Sequence, residues 1–220
     1  MTGGKKLRVI QWATGNVGSR ALRMVIEHPG LELVGLWVSN PAKAGKDAGE
    51  LAGAGVVTGI AATNSADDLI ATPADCVLYM RQGTDMDELC RLLESGKNII
   101  TTRGDFHNPR MMDPAVRARI EAACAKGQSS VYSTGSSPGF ITEALAIPLL
   151  AQQRRHDCIT INEYADMTSR NSPEMIFQVM GFGEPNGPMH PGRVEHLKYD
   201  FGNTLSLIAD AIGLECDELY

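Results

Sequence analysis

Between Ala13 and Gly18 the chain reads Ala-Thr-Gly-Asn-Val-Gly, directly after the apolar run 7–12 and directly before an amphipathic stretch. Small side chains at these spacings suit a strand that turns sharply into a helix. Ala13 and Gly15 let the backbone pass close to a pyrophosphate, and Gly18 lets the new helix pack against the strand. The first amides of that helix have no intrahelical acceptor, and the helix dipole favours negative charge beside them. Thr14, Gly15, Asn16, Val17 and Gly18 are therefore expected to cradle the phosphates of a dinucleotide; the alternative is a plain strand-to-helix turn. Context favours the cradle. Leu22, Val25 and Ile26 give the segment 20–28 an apolar face, and 31–38 reads as a second strand.

The end of that second strand is where an acidic residue would hold the ribose 2′-hydroxyl of NAD. It reads Trp37-Val-Ser-Asn-Pro-Ala-Lys43, with Lys46 beyond. Ser39, Asn40 and Lys43 suit a 2′-phosphate, so NADP is expected, with NAD as the alternative. A polar surface turn with solvated lysines is the competing explanation. Asp47 and Glu50 stand too far along to reach the ribose.

These residues need a scaffold that brings strand ends together. After the second strand the chain alternates: a short helix over 66–70, strand 75–80, helix 86–95 closed by Gly96, strand 98–102, helix 113–125 with Pro114 in its first turn and Gly127 beyond its end, and strand 129–133. This rhythm, with short connections, predicts an α/β fold of Rossmann type, a doubly wound parallel sheet. Ligands in such sheets lie outside the carboxyl ends of the strands. Those ends carry 13–15, Ser39-Asn40, Arg81-Gln-Gly83, Thr102-Arg-Gly-Asp105 and 134–139, all polar or glycine-rich.

Composition bounds the rest. With 220 residues and 43% hydrophobic content, one large domain or one and a half can build a core. A net charge of −6 argues against nucleic acid as a partner. No apolar run is long enough to span a membrane, and no apolar leader opens the chain, so neither membrane nor export is expected. Five scattered cysteines without a CxxC pair read as reduced thiols of a cytoplasmic protein, and five scattered histidines have no metal-ligand spacing.

Beyond residue 139 the rhythm changes. A helix over 140–153 is expected to kink at Pro148, and 156–167 reads as a long alternating strand with Glu163 and Tyr164 on opposite faces. A short helix is expected after Ser172-Pro173, with Met175 and Met180 in its core face, then a Gly/Pro-rich loop over 181–192 and a last helix over 203–212. One strand with two helices does not complete a layer. An α+β domain that is incomplete in this chain, or completed by a partner, is therefore expected.

The segment 9–18, followed by Lys46-Asp-Ala-Gly-Glu-Leu-Ala-Gly53, resembles the N-terminal domain of dihydrodipicolinate reductases. Thr134-Gly-Ser-Ser-Pro-Gly-Phe140 and 161–167 resemble instead 2,4-diaminopentanoate dehydrogenase and the native amine dehydrogenases, and this resemblance spans the chain. It implies a dinucleotide-binding domain over 1–139 and the start of a substrate and oligomerisation domain over 140–220. It further implies hydride transfer with a small-molecule amine or carbonyl substrate, in a homodimer. The histidine-rich catalytic segment of dihydrodipicolinate reductases has no counterpart in 152–157. The amine dehydrogenases place a pair of glutamates after the fourth strand, where this chain has Gly104-Asp105.

By that resemblance Asp105 is the catalytic carboxylate, orienting ammonia and accepting its proton; the alternative is an aspartate in an Asx turn. Arg81, Thr102 and Arg103 are expected beside the cofactor, though Arg103 alternatively caps its loop. His107 is a second acid–base group or a surface histidine. Ser137 and Pro138 hold the nicotinamide carboxamide or form a helix cap, and Tyr164 lines the substrate pocket or packs on the sheet. His190 and His196 flank the Gly/Pro loop and are further candidates to reach the site. An imine or C=C reductase, and a dinucleotide-binding protein without amine dehydrogenase activity, are the alternative functions.

Overall fold

The computed structural model describes residues 4–168, 170, 172–185 and 187–216. The chain divides into two compact units, Met1–Gly135 and Ser136–Tyr220.

The first unit is a five-stranded parallel sheet: β1 (Leu7–Trp12), β2 (Leu31–Trp37), β3 (Cys76–Tyr79), β4 (Asn98–Thr101) and β5 (Val131–Ser133). The spatial order is β2-β1-β3-β4-β5, so the winding reverses between β1 and β3. Connecting helices are α1 (Asn16–Glu27), α2 (Ala48–Ala52), α3 (Ala66–Ala71), α4 (Met86–Glu94) and α5 (Pro114–Gly127). Alternate residues of the strands face different helices, as the pleat requires. Val9 and Leu78 pack with Val25 of α1, while Ile10 and Val77 pack with Leu89, Leu92 and Leu93 of α4 and Ile120 of α5. Burial on both faces explains why the strands read as nearly continuous apolar runs. The fold is thus the Rossmann-like α/β architecture that the alternation predicts.

One detail differs. Gly127 is the last residue of α5 rather than its cap; Gln128 takes the left-handed conformation at φ 51°. Gly127 is glycine because a Cβ there would lie 1.9 Å from the Leu93 carbonyl oxygen.

The second unit departs further from expectation. The helix expected over 140–153 is a wide-turned stretch, Ser136–Leu145, with non-helical backbone at 137–139, that runs on through the right-handed Leu145 into α6 (Ala146–Leu150), where Pro148 lies. No strand forms over 156–167. The alternating pattern is there, but an isolated strand has no ladder for its amides and carbonyls. The last helix, α7 (Pro191–Ile212), begins twelve residues earlier than the pattern suggests. His190 caps it by accepting from the Gly192 amide, and Pro191 occupies its first position. Its inward face is polar, with Asn203, Thr204 and Ser206 buried beside Ile208, so apolar periodicity does not reveal it. Thr204 Oγ1 donates to the buried carboxylate of Glu143.

A candidate active site at the carboxyl ends of the strands

Strand register lines up Trp37, Trp12, Tyr79, Thr101 and Ser133 in one row across the carboxyl edge of the sheet. From this row the exits of the five strands are tied to one another. Lys43 Nζ reaches back to Thr14, linking the exits of β2 and β1. Thr101 Oγ1 donates to the Tyr79 carbonyl and Thr84 Oγ1 to Asp105, linking β4 with β3. Ser133 Oγ donates to the Arg103 carbonyl, linking β5 with β4.

The glycine loop has the form expected of a phosphate cradle. Ala13 takes φ 75°, a left-handed conformation unusual for a residue with a side chain. Its carbonyl is held by the buried Gln11 Nε2 at 2.9 Å. Gly18 must be glycine: a Cβ would lie 2.3 Å from that same carbonyl oxygen. Gly15 is different. Its φ of −74° suits any residue, and a Cβ there would meet nothing within 4 Å. Nothing in the chain itself demands glycine at 15, and the space beside it is open. No side chain caps α1, so the amides of its first turn, at Asn16, Val17 and Gly18, have no side-chain acceptor of the chain's own. The residues present therefore fit a dinucleotide.

At the exit of β2, Asn40 Oδ1 accepts from the Ala42 amide and shapes the turn that carries Lys43. Ser39 lies exposed beside it, and Lys46 is engaged with Glu50. Asp47 acts locally. It caps α2 and accepts from the amides of Thr58 and Gly59 and from the Thr58 hydroxyl, bonds that hold its carboxyl below the ordinary range. A Cβ on Gly49 would lie 1.9 Å from the Val56 carbonyl. The Lys46–Gly53 motif thus folds a loop back on itself.

A cluster that sequence reasoning missed lies at the β1/β3 reversal. Trp12 and Trp37 stack with centroids 5.2 Å apart and planes 8° apart, and Tyr79 stacks on the other side of Trp12 at 6.3 Å. Glu88, buried in the first turn of α4, accepts at Oε1 from Trp12 Nε1 (3.0 Å), Tyr79 Oη (2.8 Å) and Arg81 Nη1 (3.0 Å). Arg81 lies over Trp37, 5.4 Å from the ring centroid. Burial, and then the bond to Glu88, push the Tyr79 phenol far above its usual range, so it stays a donor. For Arg81 partial burial works downward, but the bond to Glu88 and its charge outweigh it and raise the pKa. The one sequence signal for it is an aromatic residue ending each of three neighbouring strands.

Asp105 sits in a short helical turn, Gly104–Phe106, beyond β4. Its Oδ2 takes Nε and Nη2 of Arg103 at 3.1 and 2.9 Å and the Thr84 hydroxyl at 3.3 Å, leaving Oδ1 outside these contacts. Arg103 is thus engaged with the carboxylate. Thr102 is exposed, with its hydroxyl on Met80 Sδ. His107 is buried rather than a surface histidine, because the turn packs Phe106 and His107 inward.

In the second unit, Ser137 Oγ donates to Glu163 at 2.7 Å, and the Ser137–Pro138 bond is cis. Neither residue caps a helix in the simple way considered above; both have extended backbone at the kink before Gly139. Tyr164 is 94% exposed, and without a strand it is neither sheet-packed nor set opposite Glu163 across a pleat. His190 caps α7, and His196 pairs with Asp200 one turn on. Met180 is exposed and Met175 half-buried, so neither forms a core, for the turn Glu174–Val179 buries no residue.

The parallel sheet with its flanking helices defines a Rossmann-like α/β architecture, and comparison with known proteins narrows it. Residues 9–104 match the family described as dihydrodipicolinate reductase, N-terminus. The chain is 28% identical over 226 residues to an amine dehydrogenase of Streptomyces virginiae, covering 97% of this chain and 61% of that protein. The structure of an amine dehydrogenase from Mycobacterium smegmatis superposes with a TM-score of 0.70 at 19% identity, over 96% of this chain and 63% of that one. Both parts of the resemblance read from the sequence are thereby borne out. The chain spans less than two thirds of the length of these relatives.

Proposed function

We propose that the protein is an NAD(P)-dependent oxidoreductase of amine dehydrogenase type, interconverting an amine and its carbonyl compound. The likeness to an amine dehydrogenase along 97% of the chain carries this reading. The carboxylate at the exit of β4, among tied strand ends, supports it. A bound nicotinamide cofactor supplies or accepts the hydride. The chain's own residues do the rest. The Asn16–Gly18 amides bind the pyrophosphate. Asp105 orients ammonia, takes a proton from its nitrogen as that adds to the carbonyl carbon, and returns it to the carbinolamine hydroxyl (the alkoxide having been protonated from solvent), which leaves as water; its carboxylate then stabilises the iminium that hydride reduces. Ser137 and Pro138 position the carboxamide, and Tyr164 contributes to the substrate pocket. Arg81, Thr102 and Arg103 contact the cofactor.

NADP is the preferred cofactor, supported by Ser39, Asn40 and Lys43 where an acid would select NAD. The same reading gives a cytoplasmic homodimer. The described cysteines are all free, and Phe140, Ile141, Leu149, Phe177 and Phe182 of the second unit expose apolar surface that a second copy would cover. Among the described residues no helix is long and apolar enough to cross a membrane.

The test is NADPH oxidation with a panel of ketones and aldehydes, with and without ammonia. Ammonia-dependent turnover supports the reading. Turnover on cyclic imines alone moves the assignment to an imine reductase, and NADPH binding without turnover moves it to a binding protein. Sedimentation at micromolar protein tests the homodimer.

A further inference from the structure

The Glu88 cluster has a feature that packing alone does not require. A carboxylate is costly to bury, and this one is satisfied by three donors converging on a single oxygen: an indole, a phenol and a guanidinium. Indole and phenol are ordinary partners for a core. The guanidinium is not, because Arg81 belongs to the loop leaving β3 and its side chain is 30% exposed. Glu88 itself is fixed from two sides, by its Oε1 donors and by its own amide on the Asp85 cap. The polar contacts of Arg81 to Glu88 and, at 3.5 Å, to Asp85 both run through Nη1. Nε and Nη2 take no part in them. The side chain reaches from the exit of β3 to the last residue of β2, across the reversal between β1 and β3, where sheets of this kind bind ligands.

We infer that Glu88 is a positioning residue that holds Arg81 over Trp37 as a rigid cationic platform for the adenosine half of the dinucleotide. The planar guanidinium offers a face for stacking on a purine and unused N–H groups for a phosphate, two properties a lysine does not combine. The inference rests on the dinucleotide-binding part of the reading above, not on its chemistry.

The chain has two tryptophans, and both stand in this stack, so intrinsic fluorescence reports on the platform directly. The experiment titrates the full chain with NADPH, with 2′-phospho-ADP-ribose and with nicotinamide mononucleotide, following tryptophan emission and near-ultraviolet circular dichroism. Glu88→Gln keeps the size and an acceptor oxygen for the indole and phenol but removes the charge that holds Arg81. Its affinity for NADPH and for 2′-phospho-ADP-ribose is expected to fall about 10-fold, the scale of one charge-assisted hydrogen bond. Arg81→Ala and Arg81→Lys are expected to lose a similar factor, with nicotinamide mononucleotide unaffected in all three. The double variant Glu88→Gln/Arg81→Ala is expected to lose no more than Arg81→Ala alone, a non-additivity that a merely structural role would not produce.

Parental affinity for 2′-phospho-ADP-ribose in Arg81→Ala, or additive losses in the double variant, would overturn the inference whatever the catalytic outcome. Should Glu88→Gln fail to fold, the Arg81→Lys and Arg81→Ala titrations decide alone. Intact NADPH binding with no amination of any carbonyl overturns the proposed reaction and leaves the platform standing. A parental protein that binds no dinucleotide overturns both.

Discussion

Lys43 Nζ lies 3.0 Å from Thr14 Oγ1 and 3.1 Å from the Thr14 carbonyl, bridging 29 residues of chain. The residue expected to select the cofactor is thus already docked on the loop expected to hold the pyrophosphate. A 2′-phosphate would draw the ammonium a short way along the same edge. Lys43→Ala is expected to weaken NADPH about 10-fold and NADH hardly at all, with the NADPH loss shrinking as salt is raised. Calorimetric titration at low and high ionic strength measures both. Equal losses for the two cofactors would place Lys43 on the loop alone.

The two glycines of the loop separate binding from folding. Gly15→Val puts a branched side chain into open space, so the urea midpoint should hold while dinucleotide affinity collapses. Gly18→Ala forces a Cβ against the Ala13 carbonyl at 2.3 Å. It should cost about 1–3 kcal/mol of stability, as overpacking against backbone does. Paired urea melts and fluorescence titrations distinguish the two; matching stabilities would be the unexpected result.

Asp105→Asn should lower amination turnover about 10²- to 10⁴-fold, the usual span of a general acid–base group, with NADPH affinity nearly constant. Asp105→Glu should retain activity, since the longer arm restores the reach of the glutamates in the resembling enzymes. The Arg103–Asp105 pair is partly solvated, so its loss alone should barely move the melting temperature. Steady-state kinetics and thermal melts on the same samples test all three statements.

Alkaline stability carries a signature of Cys76. Burial pushes its thiol from 9.0 to about 11. The folded state therefore keeps a proton that the unfolded chain releases first, so the stabilisation is complete below pH 9 and is lost as pH rises from 9 to 11. Buried Lys97, whose pKa desolvation lowers, acts in the opposite sense. Cys76→Val should remove part of the alkaline fall, and Lys97→Met should steepen it. Urea midpoints between pH 8 and 11 check both. At pH 8, iodoacetamide should label the exposed Cys158 and Cys216 well before Cys76, Cys90 and Cys124.

The first unit was legible because each of its signals is local. Glycines mark turns, caps mark helix starts, and strands buried on both faces read as apolar runs. Asp105 and Lys43 lie beyond the ends of β4 and β2, where the strand pattern puts them. The Trp12–Glu88 bond spans 76 residues, and only the register of β1 on β3 brings the pair together, so nothing local in the sequence sets Glu88 apart. The second unit misled for the converse reason. The stretch 156–167 has strand periodicity and nothing to pair with, and α7 hides its inward face behind Gly202, Asn203 and Thr204.

Among the described residues Ile208 is the one buried hydrophobic side chain beyond residue 135, where Thr142, Glu143, Asn203, Thr204 and Ser206 form the buried set. Apolar exposure raises the heat capacity on unfolding and polar exposure lowers it. Melting the first unit should therefore carry a large positive increment and melting the second a small one. The stability of the first unit should bend with temperature into a dome, and that of the second should run nearly straight. Cooling would then erode the first unit's margin while leaving the second's dependence close to linear.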